Sequence, residues 1–283
     1  MEKQFKADLH IHTKESDGLL SVEEAFQTAA QAGLSTIAFV DHETTVGVEK
    51  SFKLAEVYQI NLIPGVEIET DYKNQEIHLL AYYKSVDNDQ LQTKLEQIRR
   101  NRISLTERMV RRLIEYGVKI SWEEVELQAS YRGVVCKTHI LLALEKKIRE
   151  KLPQQKIDWN EVASWFRPGG IAYVPYEGNP FEQAVDFIFA TGGLPVLAHP
   201  GLIKQPSMVN ELLTYRKIGL EVYYGYWENK KGIIGHYEQI SKGKALLATG
   251  GSDYHGFFSP VAIGEIEVPF DCVSKLKRYL DIN

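Results

Sequence analysis

Histidine and acidic residues recur at the ends of short β-branched runs, and this feature limits what the chain can fold into more than any other. Candidate strands lie at Phe5–Ile11, Thr36–Val40, Leu62–Val66, Ile77–Tyr82, Leu194–Ala198, Leu220–Tyr224 and Ala245–Thr249, with helical patterns between most of them. Ser21-Val-Glu-Glu followed by Ala25, Phe26, Ala29 and Ala30 predicts a capped helix ending at Gly33. Alternating β and α elements call for a parallel sheet with crossover helices. Seven strands in that order predict an α/β fold, an incomplete (β/α)7 TIM-like barrel, with an open doubly wound sheet as the alternative.

Side chains two apart on a strand share a face. Asp8, His10 and His12 can therefore line one side of the first strand while Leu9 and Ile11 pack on the other. Asp17-Gly18 can turn a carboxylate back over them. The later strands end at or run through Asp41-His42, Glu67, Glu76-Ile-His78, His199 and Asp253-Tyr-His255. Ligands and chemistry collect at the C-terminal strand ends of a parallel barrel. Six of the eight histidines fall at or near such positions, which scattered core histidines would not do. The candidate metal ligands are His10, His12, Asp17, His42, Glu67, His78, His199, Asp253 and His255. Nine exceed the four to six or so that one first-row ion takes, so two or three divalent ions sharing a carboxylate are expected, with Glu67 as the bridge. Imidazole with carboxylate suits Mn, Fe, Zn or Mg alike. Asp8 and Asp41 are expected to orient histidine rings from behind.

The β/α alternation breaks over residues 91–166, where Leu91, Leu95, Ile98 and then Leu105, Met109, Leu113 keep helical spacing. This predicts a helical insertion (91–166) in a barrel formed by residues 1–90 and 167–283. The insertion carries 15 Lys and Arg against 10 Asp and Glu, a net of +5, which leaves −10 for the remainder. A basic cap over an acidic barrel suits an anionic substrate above metal ions. Arg99, Arg102, Arg132, Lys137 and His139 are the candidate substrate-binding residues; a fork of guanidiniums holds a phosphate well. The alternative for these basic residues is a solvated helix face. Two cysteines without C-x-x-C spacing, Cys136 and Cys272, exclude a thiolate zinc site and a disulfide scaffold. A start without an apolar leader and the lack of any run near 18 apolar residues predict a cytoplasmic protein with no membrane contact and no obligate protein partner.

Asp8-Leu-His-Ile-His12, Ser16-Asp17-Gly, Val40-Asp-His42, Pro64-Gly-Val-Glu67, Ala198-His-Pro-Gly201 and Gly251-Ser-Asp-Tyr-His255-Gly together resemble the ordered motifs of the PHP (polymerase and histidinol phosphatase) superfamily. The resemblance implies a distorted seven-stranded barrel, a trinuclear metal site and phosphoester hydrolysis. Val134–His139 and Ala172-Tyr-Val-Pro175 resemble its stand-alone branch, which includes nucleoside 3′,5′-bisphosphate phosphatases and a 5′–3′ exoribonuclease. Where insertions of that branch often carry Arg-Pro-His, this chain has Lys137-Thr138-His139.

A phosphomonoester is anionic and poorly electrophilic. Clustered divalent ions answer both problems by neutralising its oxygens and lowering the pKa of bound water toward about 7. The expected reaction is hydrolysis by a metal-bound hydroxide, with Glu67, His199 and Asp253 at the catalytic centre. The expected substrate is a nucleoside 3′,5′-bisphosphate or a short 5′-phosphorylated RNA. A small phosphomonoester such as histidinol phosphate and a non-catalytic metal-binding module are the alternatives. A metallo-amidohydrolase is disfavoured because no strand-end lysine offers a bridge. Tyr223, Tyr224, Tyr226 and Trp227 could stack on a base, although aromatics after a barrel strand more often pack.

Overall fold

A computed structural model describes residues 5–129, 133–151, 157–226, 228–257 and 259–282. It contains eight strands among the described residues, in two sheets. The first holds β1 (Ala7–Ile11), β2 (Thr36–Phe39) and β3 (Asn61–Leu62), all parallel. Helix α1 (Val22–Gln31) crosses from β1 to β2, and α2 (Val46–Tyr58) crosses from β2 to β3. Ser21 accepts from the Glu24 amide while the Glu24 carboxylate returns to the Ser21 amide, the capping box that the sequence predicts. Fully buried Phe26 meets Phe39 edge-on and stacks on Tyr58. Truncating such an aromatic to alanine costs about 3–5 kcal/mol.

The second sheet runs β4 (Gly65–Tyr72), β5 (Gln75–Tyr82), β6 (Leu194–Leu197), β7 (Gly219–Tyr224) and β8 (Ala248–Gly251). Its β4–β5 and β5–β6 pairs are antiparallel, and only β6–β7–β8 are parallel. The sequence pattern anticipates seven strands in β/α alternation; the fold has a hairpin in the middle instead. The single expected strand at 62–66 divides at Pro64, which has no amide proton for a ladder. Its second part continues to Tyr72 and turns at Lys73 and Asn74, both left-handed (φ 49° and 60°) as a two-residue hairpin requires. Strand β8 begins later than expected because Ala245 caps the preceding helix in the left-handed conformation. It then runs through Gly251, where a Cβ would collide with the backbone of His10.

The edges of the two sheets meet at two seams. Ile11 bridges Tyr254 on one side and His42 bridges Glu67 on the other. Backbone bonds sew both: Asp253 N to His10 O at 2.8 Å, His12 N to Tyr254 O at 3.1 Å, Glu67 N to Val40 O at 3.1 Å and Glu43 N to Glu67 O at 2.9 Å.

Helix α3 (Asp89–Glu115) is continuous. Leu91, Leu95 and Ile98 on its first half join the core beneath the second sheet. Leu105, Met109, Val110 and Leu113 on its second half join a separate apolar cluster. That cluster also takes Val125 of α4 (Trp122–Glu126), Ile140 of α5 (Lys137–Lys151) and Val162 of α6 (Trp159–Ser164), then Ala172, Val174 and Tyr176. Helices α7 (Phe181–Ala190), α8 (Pro206–Tyr215), α9 (Lys230–Lys244) and α10 (Phe270–Tyr279) cover the second sheet. No described helix is long and apolar enough to cross a membrane.

Candidate metal centre

Strand β1 turns His10 and His12 to the seam, both fully buried. Glu221, from the middle of β7, accepts from His10 Nδ1 at 2.8 Å, which leaves His10 Nε2 facing the opposite way. That atom lies 3.1 Å from His12 Nε2, 3.1 Å from Asp253 Oδ1 and 3.2 Å from Glu67 Oε2. His12 Nε2 lies 3.0 Å from Glu67 Oε2 and 3.1 Å from Asp253 Oδ1. A tetrahedron with such edges has its centre about 2 Å from each corner, the length of a zinc–nitrogen or zinc–oxygen bond. Asp253 Oδ1 is buried and has no hydrogen-bond partner, for neither ring aims an N–H at it. His12 Nδ1 and His42 Nδ1 are likewise buried without a partner. A donor set of this kind fits a divalent cation better than a hydrogen-bond network.

Two further groups adjoin the first. Asp17, His42 and His255 gather with His12, with His255 Nε2 3.2 Å from Asp17 Oδ1. Glu67 Oε1 takes His78 Nδ1 at 2.9 Å and His199 Nε2 at 3.1 Å. The structure therefore brings all nine candidate ligands together, and the Glu67 carboxylate lies between the groups. Two of the nine, His199 (φ 28°) and Asp253 (φ 52°), have left-handed backbones, which costs about 1–3 kcal/mol for a residue so placed. A cavity of about 240 Å³ opens over them.

Electrostatics agree with this fit. Burial opposes charge on His10 and His78, yet the carboxylates around them outweigh it and hold both well above the ordinary imidazole value. His255 rises to about 10: burial lowers it, and Asp17 and then Asp253 more than reverse that. Glu67, Asp17 and Asp253 are held well below the carboxylate range by those same rings against the pull of burial. His42 is the exception, lowered well below the ordinary imidazole value by burial and then by the Arg102 guanidinium.

Asp8 and Asp41 hold backbone amides and hydroxyls rather than rings. Asp8 accepts from Ser252 N and Gly264 N, each at 2.9 Å. Asp41 accepts from Thr13 N, Thr13 Oγ1 and Ser16 Oγ at 2.7–2.8 Å. Glu221 and Glu76 take the ring-orienting role instead, Glu76 at 3.0 Å from His78 Nε2. Three carboxylates that sequence reasoning passed over thus belong to the site: Glu69, Glu76 and Glu221. Alternation along the hairpin was the signal for the first two, since Glu67 and Glu69 share a face with Glu76 and His78 across the ladder. A lone acid inside the apolar run 220–224 was the signal for Glu221.

Most of the candidate substrate cations have partners within the chain. Arg102 is 4% exposed and gives one nitrogen to Glu43 and the other to Glu69, each at 2.7 Å. Burial, reinforced by the like charges of Glu76 and Glu43, pushes Glu69 up to about 8 despite that guanidinium. Arg99 donates to the Glu43 carbonyl at 2.6 Å. Lys137 holds Glu76 at 2.9 Å. His139 Nδ1 accepts from the Cys136 amide at 3.1 Å, and burial lowers its pKa. Arg132 lies outside the described residues, as does Trp227. Of the tyrosines, Tyr224 donates to Asp253 at 2.7 Å, Tyr223 to Glu238 at 2.8 Å, and Tyr226 accepts from Gly201 N at 3.0 Å.

Known proteins are similar to this chain in sequence and in fold. The chain is 26% identical over 264 residues to the phosphoribosyl 1,2-cyclic phosphate 1,2-diphosphodiesterase of Eggerthella lenta, covering 93% of this chain and 98% of that one. It is 25% identical over 254 residues to the 3′,5′-nucleoside bisphosphate phosphatase of Chromobacterium violaceum, covering 88% and 86%. A solved amidohydrolase of Chromobacterium violaceum with bound sulfate superposes with a TM-score of 0.84 at 22% identity over 97% and 96% of the two chains, a likeness of fold alone. Residues 8–161 match the PHP domain itself, and the chain belongs to that family.

Proposed function

We propose that the chain is a metal-dependent hydrolase of phosphate esters that removes a phosphoryl group from a nucleoside 3′,5′-bisphosphate or a short 5′-phosphorylated RNA. The observation that carries this reading is the Glu67 carboxylate, with His10, His12, His42, His78 and His199 all within 4 Å of its oxygens. In this reading His10, His12, Glu67 and Asp253 hold one ion, and Asp17, His42 and His255 hold a second. His78, His199 and Glu67 hold a third. Manganese, iron, zinc and magnesium all suit imidazole with carboxylate. Divalent ions bound there would supply charge neutralisation at phosphate oxygens and activation of water.

The chain's own residues do the rest. Glu221 fixes the His10 ring and Glu76 the His78 ring, so each presents its other nitrogen. Tyr224 fixes the Asp253 carboxylate. Thr138 donates to Asp17 Oδ2 at 2.8 Å from the start of α5. The seams join the two sheets as halves of a distorted barrel, and residues 91–166 form its cap, whose apolar cluster supports that division. The full-length relatives act, by their names, on a phosphoribosyl cyclic phosphate and a nucleoside bisphosphate, which favours a phosphorylated ribose over an amino alcohol phosphate. The test is a phosphate-release screen over nucleoside monophosphates, 3′,5′-bisphosphates, histidinol phosphate and short 5′-phosphorylated RNAs, with each metal in turn. Preferred turnover of histidinol phosphate would move the assignment to the small-substrate alternative, and no release from any ester would end it.

A further inference from the structure

A second cleft, of about 410 Å³, opens beside the metal centre and shares Glu76, His78, Lys137, His199 and Leu202 with the cavity above it. Its far wall comes from the segment after α6 and from the turn after β6. Phe166 and Tyr173 are half-buried there, while Leu202 is 52% exposed, a large apolar side chain left at the mouth of a polar site. Arg167 and Lys204 line the same cleft, both exposed, and neither has an ion-pair or side-chain hydrogen-bond partner among the described residues. The contrast with the cap cations is chemical. Arg102 is paired with buried Glu43 and Glu69 and Lys137 with half-buried Glu76, so their charge is already compensated. Among the described cations that line the two cavities, Arg167 and Lys204 are the ones without such a partner.

The geometry points to this cleft as the subsite for the part of the substrate beyond the reacting phosphate. A planar base rests on the apolar surface of Phe166, Tyr173 and Leu202, and a second anionic group meets Arg167 and Lys204. Aromatic and aliphatic faces accept any base without reading its edge, whereas a guanidinium beside an ammonium selects for phosphate or carboxylate. The ligand class is therefore a nucleotide with two separated phosphates, one at the metals and one at the cationic pair. This rests on the phosphoesterase reading above.

The experiment compares wild type with the double variant Arg167→Ala/Lys204→Ala and with Phe166→Ala, in the metal-loaded enzyme. The substrates are adenosine 3′,5′-bisphosphate and p-nitrophenyl phosphate. The ratio of their kcat/KM values should fall about 10–100-fold in the double variant, chiefly through KM for the bisphosphate, and about tenfold in Phe166→Ala. Exchanging the two cations instead, as Arg167→Lys/Lys204→Arg, should keep most of the wild-type ratio. A ratio within about threefold of wild type, or equal loss on both substrates, overturns the subsite. A wild-type enzyme that hydrolyses neither ester refutes the proposed function instead. The cleft is then judged by calorimetry with adenosine 3′,5′-bisphosphate: weaker binding to the double variant upholds it and equal binding overturns it.

Discussion

Arg102→Ala separates two roles that the same residue could play. The side chain sits between two glutamates that are 0% and 2% exposed, and it satisfies both. Removing it leaves the buried Glu43 carboxylate without its counter-charge and Glu69 without its hydrogen-bond partner, which costs about 3–5 kcal/mol. At about 2–4 °C per kcal/mol for a chain of this size class, Tm should fall by roughly 6–20 °C. The loss should depend on pH with a definite sign. Glu69 already sits at about 8 beside the guanidinium and rises further without it. The folded variant therefore binds more protons than wild type above pH 8, and its deficit grows there with pH by up to about 1.4 kcal/mol per unit. Calorimetric melts at pH 6 and pH 9 measure both effects. A variant that melts within about 1 °C of wild type at both pH values, and loses activity on a bisphosphate alone, would refute the structural role. Arg102 would then be a phosphate-binding residue, as its helix position first suggests.

Glu67→Gln keeps the shape and removes the shared charge; kcat/KM should fall at least about 100-fold with loss of bound metal by elemental analysis, and an active, fully metallated variant would refute the bridging role. The surrounding carboxylates hold His10, His78 and His255 above the ordinary imidazole value against burial, and an imidazole must be neutral to ligate. Metal binding at pH 7 should therefore release about two to three protons and tighten as pH rises, measured by calorimetry in buffers of different ionisation enthalpy; release of less than one would contradict it. Ions at about a hundredfold saturation add about 2.7 kcal/mol, so chelation should lower Tm by roughly 5–10 °C, and a melt unchanged after verified metal loss would argue against coupling of the ions to the fold.

How much of this was legible in the sequence depended on how local each signal is. Strand-end histidines and acids announce themselves, because a strand fixes which side chains converge and a polar group buried there needs a partner. The middle of the second sheet did not announce itself. Its hairpin turns at Lys73-Asn74, with no glycine to mark two left-handed residues. A pattern that looked like one short strand therefore concealed a ladder presenting Glu67, Glu69, Glu76 and His78 on one face. Glu221 was hidden for the opposite reason, as one acid in an apolar strand whose partner, His10, is 211 residues away in the sequence. The cations were visible but their partners were not. Whether an arginine meets a substrate or a buried glutamate is a tertiary fact that helix periodicity does not contain.

That last point changes the meaning of the basic insertion. Its net charge of +5 invites the reading that α3 and α5 face the substrate. Instead they grip the segments that carry metal ligands. Arg99 and Arg102 fasten Glu43, the residue after His42, which is itself left-handed at φ 49°. Lys137 fastens Glu76, which orients His78. Thr138 and the Cys136 thiol both reach Asp17. Three ligands on three different segments are thus held from one insertion. Beside the ligands, Glu69 is repelled by the like charges of Glu76 and Glu43. Cations anchored in a separately packed helical cluster oppose that repulsion without occupying the ligand positions themselves. The cap cations nearest the ligands, Arg99, Arg102 and Lys137, are for this reason paired within the chain, and they keep an acidic site assembled.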